Sequence, residues 1–527
     1  MNDNLKGNFD YTARLLDRTE FCELSDDYTL PDYMPAIGRV ISCSAAVAPP
    51  TLYIGGGSVE FAGGAKYFLH YESAEDSTLW CAELPGEYDH IIPSDRLQNA
   101  PSDPAAICGL VTAAAENVSA RITGPRRLTV RSKIRLGMGL SSPAKFEIAF
   151  RGDVSRPEAI RYLDGRSPYG ICSCGISAPV ICRDKISVSE LGITDSGNCR
   201  IISSRGKVMV TRLEALPNSL DCRGEINATL LIVANDENER PRKVNRRIPF
   251  SAEIPLNTVA DSAKLSGVRA YGVCPSFVAS ADDDAITLEA TLLLCGEAAF
   301  EKAFDYVRDV YSCAAECELS GKEFDVRVPI ACFNGNATVS AQAKCSAIGL
   351  DGGVKLLDCR GEVLPGVEWE IRENGKLAVV GKMKLFLIAD NGAELIPAEF
   401  ESDFRYTADL PDASSLTSPK INIIADIFDA KCRLDGDSVY ADCELCVSIL
   451  AEDEKRIRTV AEVNLVSAKE KDSAARIIVC YPEKGETLWA VAKRYRADAA
   501  AIADKNSIET ESPDAPDSLA KSRFIII

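Results

Sequence analysis

The chain of 527 residues, 46% hydrophobic and 26% charged, is long enough for three or four domains that each bury a core. Its formal net charge of −19 argues against general binding to nucleic acids or anionic lipids, because both require local positive potential. No apolar run approaches the ~20 residues that span a bilayer, and the first residues lack the layout of a signal peptide, so a cytoplasmic protein without a transmembrane segment is expected.

The cysteines and histidines give no pattern of a metal or catalytic site. Twenty cysteines are scattered along the chain, and only Cys443 and Cys446 form a C-x-x-C pair. One such pair supplies two ligands, whereas a structural zinc needs four. The only histidines, His70 and His90, lie in no motif with a nucleophilic Ser or Cys. We therefore expect reduced thiols in the core, no metal, no cofactor and no enzymatic activity.

The body of the chain repeats one strand pattern three times. In each copy, alternating apolar residues flank a central glycine, and a more apolar half follows it. The central glycines are Gly63, Gly224 and Gly381, so the period is about 160 residues, too long for a solenoid repeat. Tandem domains are expected instead. Period-2 alternation and the Val, Ile, Thr and Tyr content predict an antiparallel β-sandwich or flattened barrel for each copy.

These patterns divide the chain into eight segments. The expected boundaries are 1–20 for an N-terminal segment, 21–140, 185–298 and 326–467 for the β domains, 141–184 and 299–325 for connectors, 468–475 for a linker and 476–527 for a final module. The second connector is predicted to be helical, because Phe304, Val307 and Tyr311 share one helix face. The linker is short and charged, which is typical of a mobile tether.

Two basic clusters, at 126–135 and 240–247, depart from the acidic average. Both lie within predicted strands or at their turns. We interpret them as solvated strand faces and a hairpin tip, which is the usual location of charged runs in a β protein.

The first helix of the C-terminal module follows an abrupt change of periodicity. An apolar run and a Pro/Gly turn precede Leu488, Val491, Ala492 and Tyr495, which fall at helical spacing on one face. Thr487 is placed to cap this helix at its N-terminus.

A second short helix is predicted directly after the first. Asp498 is its expected N-cap, Ile502 should face inward, and Asn506 is the expected left-handed residue at its end. The chain then closes on a strand at 524–527.

These residues carry two resemblances. The strand–helix–helix–strand order and the turn at 485–489 (GETLW) resemble a LysM module. Residues 30–37 (LPDYMPAI), the glycine-centred strands and residues 248–255 (IPFSAEIP) resemble the SPOCS domain of clostridial spore-coat proteins. The whole chain is similar to the clostridial spore-coat morphogenetic proteins that combine both. The resemblance implies a mainly β fold, with three tandem β-sandwich-like SPOCS domains followed by a small βααβ LysM module.

The resemblance also implies a function. Proteins of that family work in the mother-cell cytosol at the forespore surface, where they help a coat-initiating ATPase assemble. The expected function is therefore non-enzymatic spore-envelope (coat) assembly during sporulation, with the LysM module docking a spore-coat morphogenetic ATPase or another coat protein. The alternative is a carbohydrate-binding protein whose LysM module recognises N-acetylglucosamine-containing glycan of peptidoglycan or cortex.

Both functions place the binding residues in the LysM module. In LysM modules, the loop after the first strand and the loop after the second helix form a shallow glycan groove. The resemblance places in these loops Gly485, Glu486, Thr487, Leu488, Asn506, Ser507 and Ile508. Backbone N–H and C=O groups over an apolar floor would recognise acetamido groups, although turn, cap and core roles explain several of these residues equally well. Trp489 lies beside the core face and is predicted to be a half-exposed anchor for a protein contact, the favoured alternative.

Overall fold

The computed structural model is mainly β, as the sequence predicts. It describes residues 6–55, 58–93, 107–149, 160–193, 199–234, 240–256, 263–282, 284–351, 353–466, 477–510, 512–515, 518–519 and 522–527. Within these ranges the chain forms 23 strands and two α-helices. Strands β1–β21 belong to three repeats, and the remaining elements belong to a C-terminal module.

The elements follow one another in the same pattern in each repeat. The first repeat contains β1 (Lys6–Thr29), β2 (Ile37–Val47), β3 (Thr51–Gly55), β4 (Ser58–Ser73), β5 (Leu79–Pro93), β6 (Cys108–Gly124) and β7 (Arg127–Ala149). The second contains β8 (Ile160–Ile176), β9 (Val180–Ser187), β10 (Cys199–Leu216), β11 (Ser219–Ala234), β12 (Arg242–Pro255), β13 (Lys264–Asp282) and β14 (Ala285–Ser312). The third contains β15 (Glu316–Lys344), β16 (Lys355–Val363), β17 (Glu368–Ile371), β18 (Lys376–Asp390), β19 (Leu395–Asp409), β20 (Pro419–Asp435) and β21 (Ser438–Val466). The C-terminal module contains β22 (Val479–Cys480), α1 (Leu488–Tyr495), α2 (Ala499–Asn506) and β23 (Ile525–Ile526).

Each repeat pairs its strands in the same order, in an outer and an inner antiparallel layer. The outer layer places the long last strand between the first strand and the one before the last, as in β1-β7-β6. The second repeat uses β8 and β9 in place of a single first strand. The inner layer is centred on β4, β11 or β18, the strand with the repeated glycine. Apolar side chains fill the space between the layers.

The three inner layers form a closed ring. The last strand of each contacts the first strand of the next: β5 with β10, β12 with β16, and β19 with β2. One apolar cluster joins all three, and its buried members are Ile41, Phe68, Leu79, Cys81, Ile202, Leu231, Val233, Leu357 and Ile388. The repeats therefore pack around an approximate threefold axis and share a core.

Two junctions of the ring use equivalent arginines. Arg39 on β2 donates from Nη2 to the carbonyl of Leu395 at 2.7 Å, and Arg200 on β10 donates from Nη1 to the carbonyl of Leu79 at 3.1 Å. Both arginines occupy the same register position relative to the central glycine of their repeat. The duplicated sequence thus repeats its contacts between repeats as well as its strands.

His70 lies buried where the first repeat meets the second. Its side chain is 2% exposed, with Nδ1 3.2 Å from Oγ of Ser42 and Nε2 3.0 Å from Oγ of Ser203. Burial, helped by the nearby charges of Arg205 and Arg360, lowers the pKa of His70 from 6.5 to about 3. The folded protein therefore holds this imidazole neutral.

Acidification should destabilise the protein through His70. Its folded pKa lies below the unfolded one, so the unfolded state binds more protons between pH 6.5 and about 3, and stability falls as the pH drops through this window. Between pH 7 and pH 5 the expected loss is about 2 kcal/mol. Chemical denaturation of His70→Gln should lack this component, whereas the control His90→Gln should retain it. Identical pH profiles for the parent and His70→Gln would contradict the assignment.

The helical connector predicted at 299–325 is wrong. These residues lie in β14 and β15 and in the bend that joins them. A register shift between Val307 and Asp309 interrupts the alternation of β14. Phe304 and Val307 are buried in different clusters on the two faces of β14, and the bulge returns Val310 to the cluster of Val307. Buried residues therefore recur three apart and resemble a helical stripe.

Other predicted segments also belong to the β repeats. The described part of the N-terminal segment, 6–20, lies in β1, which pairs with β7. In the connector predicted at 141–184, the described residues lie mostly in β7, β8 and β9. Gly, Ser and Pro in β8 weaken its strand signal, although β8 pairs with β14 along its length. The linker at 468–475 lies outside the described residues.

The cysteines and the second basic cluster also differ from expectation. Cys359 on β16 and Cys432 on β20 form a disulfide, so the expectation of reduced thiols is wrong for this pair. Residues 240–247 are not a solvated face. Lys243 Nζ donates to the carbonyl of Cys359 at 2.6 Å, and Arg247 Nη2 lies 3.0 Å from Oδ2 of Asp429. The cluster joins the second repeat to the third.

Candidate functional site

The two helices of the C-terminal module begin at the residues that the sequence predicts. The side chain of Thr487 accepts a hydrogen bond from the backbone N–H of Ala490 at 3.2 Å, and Asp498 accepts one from Ala500 at 2.9 Å. Leu488 and Ile502 are buried in the module core, together with Val491, Ala492 and Ile525. Tyr495 packs against this core at a half-buried position.

The end of α2 differs from the prediction. Ser507, with φ of 51°, is the left-handed residue, and Asn506 is the last helical one. The Asn506 side chain donates to the carbonyls of Ile502 at 2.8 Å and Ile526 at 2.7 Å, and its Oδ1 accepts from the N–H of Ile526 at 2.7 Å. These bonds occupy the amide in tying α2 to β23, which is a structural role.

The loop before α1 uses its polar groups internally. Gly485 adopts φ of 83°, which suits glycine in this turn. Glu486 accepts from the N–H of Glu483 at 3.0 Å and pairs with Arg494.

The first N–H groups of α1 are also occupied. Leu488 donates to Oγ of Ser518 at 3.0 Å, and Trp489 donates to the carbonyl of Pro513 at 2.7 Å. The N–H group of Leu488, one of the donors expected to recognise acetamido groups, therefore already has a partner within the chain.

A groove of about 660 Å³ lies along α2, beside residues 508–510 and Pro513. Its walls are mostly aliphatic, with two acidic side chains: Leu488, Ala499, Ala500, Ala503, Asp504, Ile508, Glu509, Thr510 and Pro513. Of the predicted site residues, Leu488 and Ile508 line this groove. The other predicted residues, Gly485, Glu486, Thr487, Trp489, Asn506 and Ser507, do not.

The prediction that Trp489 is half-exposed is wrong. Its side chain is 5% exposed, because it packs against the second repeat. Its ring meets that of Tyr311 at 69° with centroids 4.8 Å apart, and its Nε1 donates to Oδ2 of Asp309 at 2.9 Å. Both partners lie on β14. Trp489 is thus an interface anchor, but the interface is within the chain.

Polar contacts surround this anchor. Lys493 Nζ lies 2.6 Å from Oδ1 of Asp309, and the hydroxyl of Tyr311 donates to the carbonyl of Ala497 at 2.8 Å. Arg161 on β8 donates from Nε to Oδ2 of Asp498 at 2.9 Å, and this hydrogen bonding lowers the pKa of Asp498. We call the surface formed by Trp489, Lys493, Arg496, Ala497 and Asp498 the docking face of the module.

The sequence did not predict the residues of β14 that contact the docking face. Asp309 and Tyr311 alternate along β14 and so point to the same side, but the predicted helix separated them. A strand assignment for 305–312 would have placed an acidic and an aromatic side chain side by side. Nothing in the sequence pairs them with Trp489.

A second surface of the module is apolar and exposed. Residues 477, 479 and 481 alternate onto one side of β22, and Tyr481 and Phe524 meet with ring centroids 6.4 Å apart. Ile477 is 67% exposed, Tyr481 70%, and Val479 and Phe524 about half. We call Ile477, Val479, Tyr481 and Phe524 the outer apolar face.

Neither helix of the described chain is long and apolar enough to cross a bilayer. Comparisons with protein-family models, with curated proteins and with solved structures gave no match to this chain. Its function therefore has to be argued from the surfaces described above.

Proposed function

We propose that the protein is a non-enzymatic spore-envelope (coat) assembly protein, located at the forespore surface in the mother-cell cytosol. The C-terminal module, proposed to be a LysM module, docks a coat-initiating ATPase or another coat protein. The three repeats, proposed to be SPOCS domains, act as the rigid body that carries it. The resemblance of the sequence motifs supplies the identity of this partner class.

The outer apolar face is the observation that carries the proposal. Four large apolar side chains stand exposed on a module of only about 50 residues. Contiguous exposed apolar patches are typical of protein–protein interfaces, because contact between this much apolar surface and water is unfavourable. The second repeat already covers the docking face, so the ATPase or coat protein cannot bind there.

The alternative function is recognition of N-acetylglucosamine-containing glycan, and the groove along α2 favours it. The groove lies beside one predicted binding loop, its floor is aliphatic, and its volume is in the range of small-ligand sites. The occupied N–H groups of Leu488 and Trp489, at the start of α1, argue against this alternative.

One experiment on the full chain separates the two functions. Tyr481→Ser/Phe524→Ser alters the outer apolar face, and Ala500→Arg fills the groove at an exposed position. We expect the double variant to weaken capture of the purified ATPase by tenfold or more, about 1.4 kcal/mol, while Ala500→Arg leaves it unchanged. Tyr33→Ser, at an exposed tyrosine of the first repeat, is the matched control.

The same proteins are then titrated with chitin oligomers and peptidoglycan fragments. Saturable binding that Ala500→Arg abolishes, together with ATPase capture that the double variant does not change, would overturn the proposal in favour of the glycan function.

A further inference from the structure

The ring of repeats encloses a cavity of about 560 Å³ on its approximate threefold axis. Equivalent residues of the three repeats line it. Ser44, Arg205 and Arg360 occupy the same register position of β2, β10 and β16, opposite Phe68, Thr229 and Phe386. The residue after each of them, Ala45, Gly206 or Gly361, lines the cavity as well. The cavity is therefore formed by equivalent positions of the three repeats.

Basic side chains outnumber acidic ones along the cavity wall, in a protein that is acidic overall. Six basic side chains line it: Lys66, Arg135, Arg205, Lys207, Lys243 and Arg360. Among the described residues, three acidic side chains do so: Glu362, Asp426 and Asp429. The formal charge of the whole chain is −19, so this local excess of positive charge is the reverse of the average.

Five of the six basic side chains have carboxylate partners. Lys66 lies 2.9 Å from Oε2 of Glu83, and Arg135 lies 2.7 Å from Oε1 of Glu116. Lys207 lies 2.6 Å from Oδ2 of Asp426. Arg205 and Lys243 share the single carboxylate of Asp358, at 2.7 Å and 3.3 Å. The buried carboxylate therefore compensates one of these two charges and leaves the other without a counter-charge.

Arg360 has no such partner. Its guanidinium lies over the ring of Phe386, 4.5 Å from the centroid. Among the described residues, no carboxylate comes within 4 Å of it, and it makes no hydrogen bond. Burial lowers the pKa of Arg360, and Arg205 acts in the same direction, whereas the carboxylates of Glu362 and Asp358 act against this shift. Because neither carboxylate pairs directly with the guanidinium, the site favours an added negative charge in contact with it.

A further polar group faces the same space. The side chain of Asn227 is buried and lines the cavity, and its Nδ2 donates to the carbonyl of Phe428 at 3.3 Å. Its Oδ1 has no hydrogen-bond partner in the described structure. Buried polar atoms without partners are rare in proteins. Because this amide oxygen only accepts hydrogen bonds, a hydroxyl of the bound molecule, as in citrate or hydrogen phosphate, would have to donate to it.

We propose that the central cavity binds a small oxyanion, a carboxylate or phosphate compound, through Arg360 with Arg205 and Lys243 beside it. The planar guanidinium presents paired N–H donors that match carboxylate and phosphate oxygens. The volume admits a small molecule rather than a polymer. The exposed residues Pro365 and Gly366 line one end, which gives the ligand a path from solvent. This inference is independent of the proposed coat function.

The test is calorimetric titration of the full chain with inorganic phosphate, pyrophosphate and citrate at constant ionic strength. We expect saturable binding of at least one probe, and the preferred probe distinguishes a phosphate from a carboxylate source. Arg360→Gln should weaken that binding by tenfold or more. The control Arg433→Gln, at an exposed arginine of the same repeat, should not change it.

A second variant tests the anion site independently, in case Arg360→Gln does not fold. Ser44→Asp places a carboxylate at the register position equivalent to Arg360, and it should compete with the bound anion and weaken binding. Circular dichroism establishes that each variant is folded. The absence of saturable binding to all three probes, or equal affinity in folded Arg360→Gln and the parent, would overturn the proposal.

Discussion

Replacing Glu297 with leucine should lower the free energy of unfolding by about 3–5 kcal/mol, because it leaves the charge of Arg269 buried without a counter-charge. The two side chains are 3% and 4% exposed, and Nε of Arg269 lies 2.7 Å from Oε2 of Glu297. Arg269 also donates from Nη1 to Oδ1 of Asn422 at 2.8 Å. Asn422 belongs to the third repeat, so the loss should weaken the junction between repeats as well as the second repeat itself.

Chemical denaturation of a double-mutant cycle measures this effect. Arg269→Met/Glu297→Leu should recover much of the stability lost in Glu297→Leu, because an apolar pair removes the unpaired charge. The matched control is Glu289→Leu on the same strand, whose ion pair with Arg183 is exposed and should be worth less than ~1 kcal/mol. If Glu297→Leu and Arg269→Met/Glu297→Leu are equally unstable, the loss of stability comes from altered packing and not from the unpaired charge of Arg269.

The sequence predicted the repeats better than their arrangement. Gly63, Gly224 and Gly381 mark equivalent central strands, because alternation and the central glycine are local features. The ring could not be predicted, since its contacts join residues far apart in the chain. Arg247 and Asp429, for example, are 182 positions apart, and each alone is an ordinary charged residue of a strand.

The C-terminal module shows the same division between local and distant determinants. The cap at Thr487 and the inward position of Ile502 follow from nearby residues, and both predictions are confirmed. The burial of Trp489 depends on Asp309, which is 180 positions away in the chain. Asp309 lies on β14, where the spacing of buried residues resembles that of a helix. Helical spacing identified Trp489 as a residue outside the module core, but it gave no information about what covers it.

Leu488→Ala and Trp489→Ala should therefore have different consequences in the full chain. Leu488 is almost fully buried in the module core, so its truncation should cost roughly 2–5 kcal/mol and unfold a unit of this size. Trp489→Ala removes an anchor between the module and β14, where loss of a central aromatic costs about 2 kcal/mol or more of contact energy. We expect it to release the docking face while α1 and α2 stay folded.

Hydrogen exchange of the full chain reports both events separately. In Trp489→Ala, amides of residues 305–312 on β14 and of the docking face should exchange faster, whereas amides in the interior of α1 and α2 should stay protected. In Leu488→Ala, the helical amides themselves should lose protection. Tyr481→Ala, at an exposed aromatic of the same module, should change neither region. If Trp489→Ala deprotects the two helices as strongly as Leu488→Ala does, the tryptophan stabilises the module fold itself, and its assignment to the docking face is wrong.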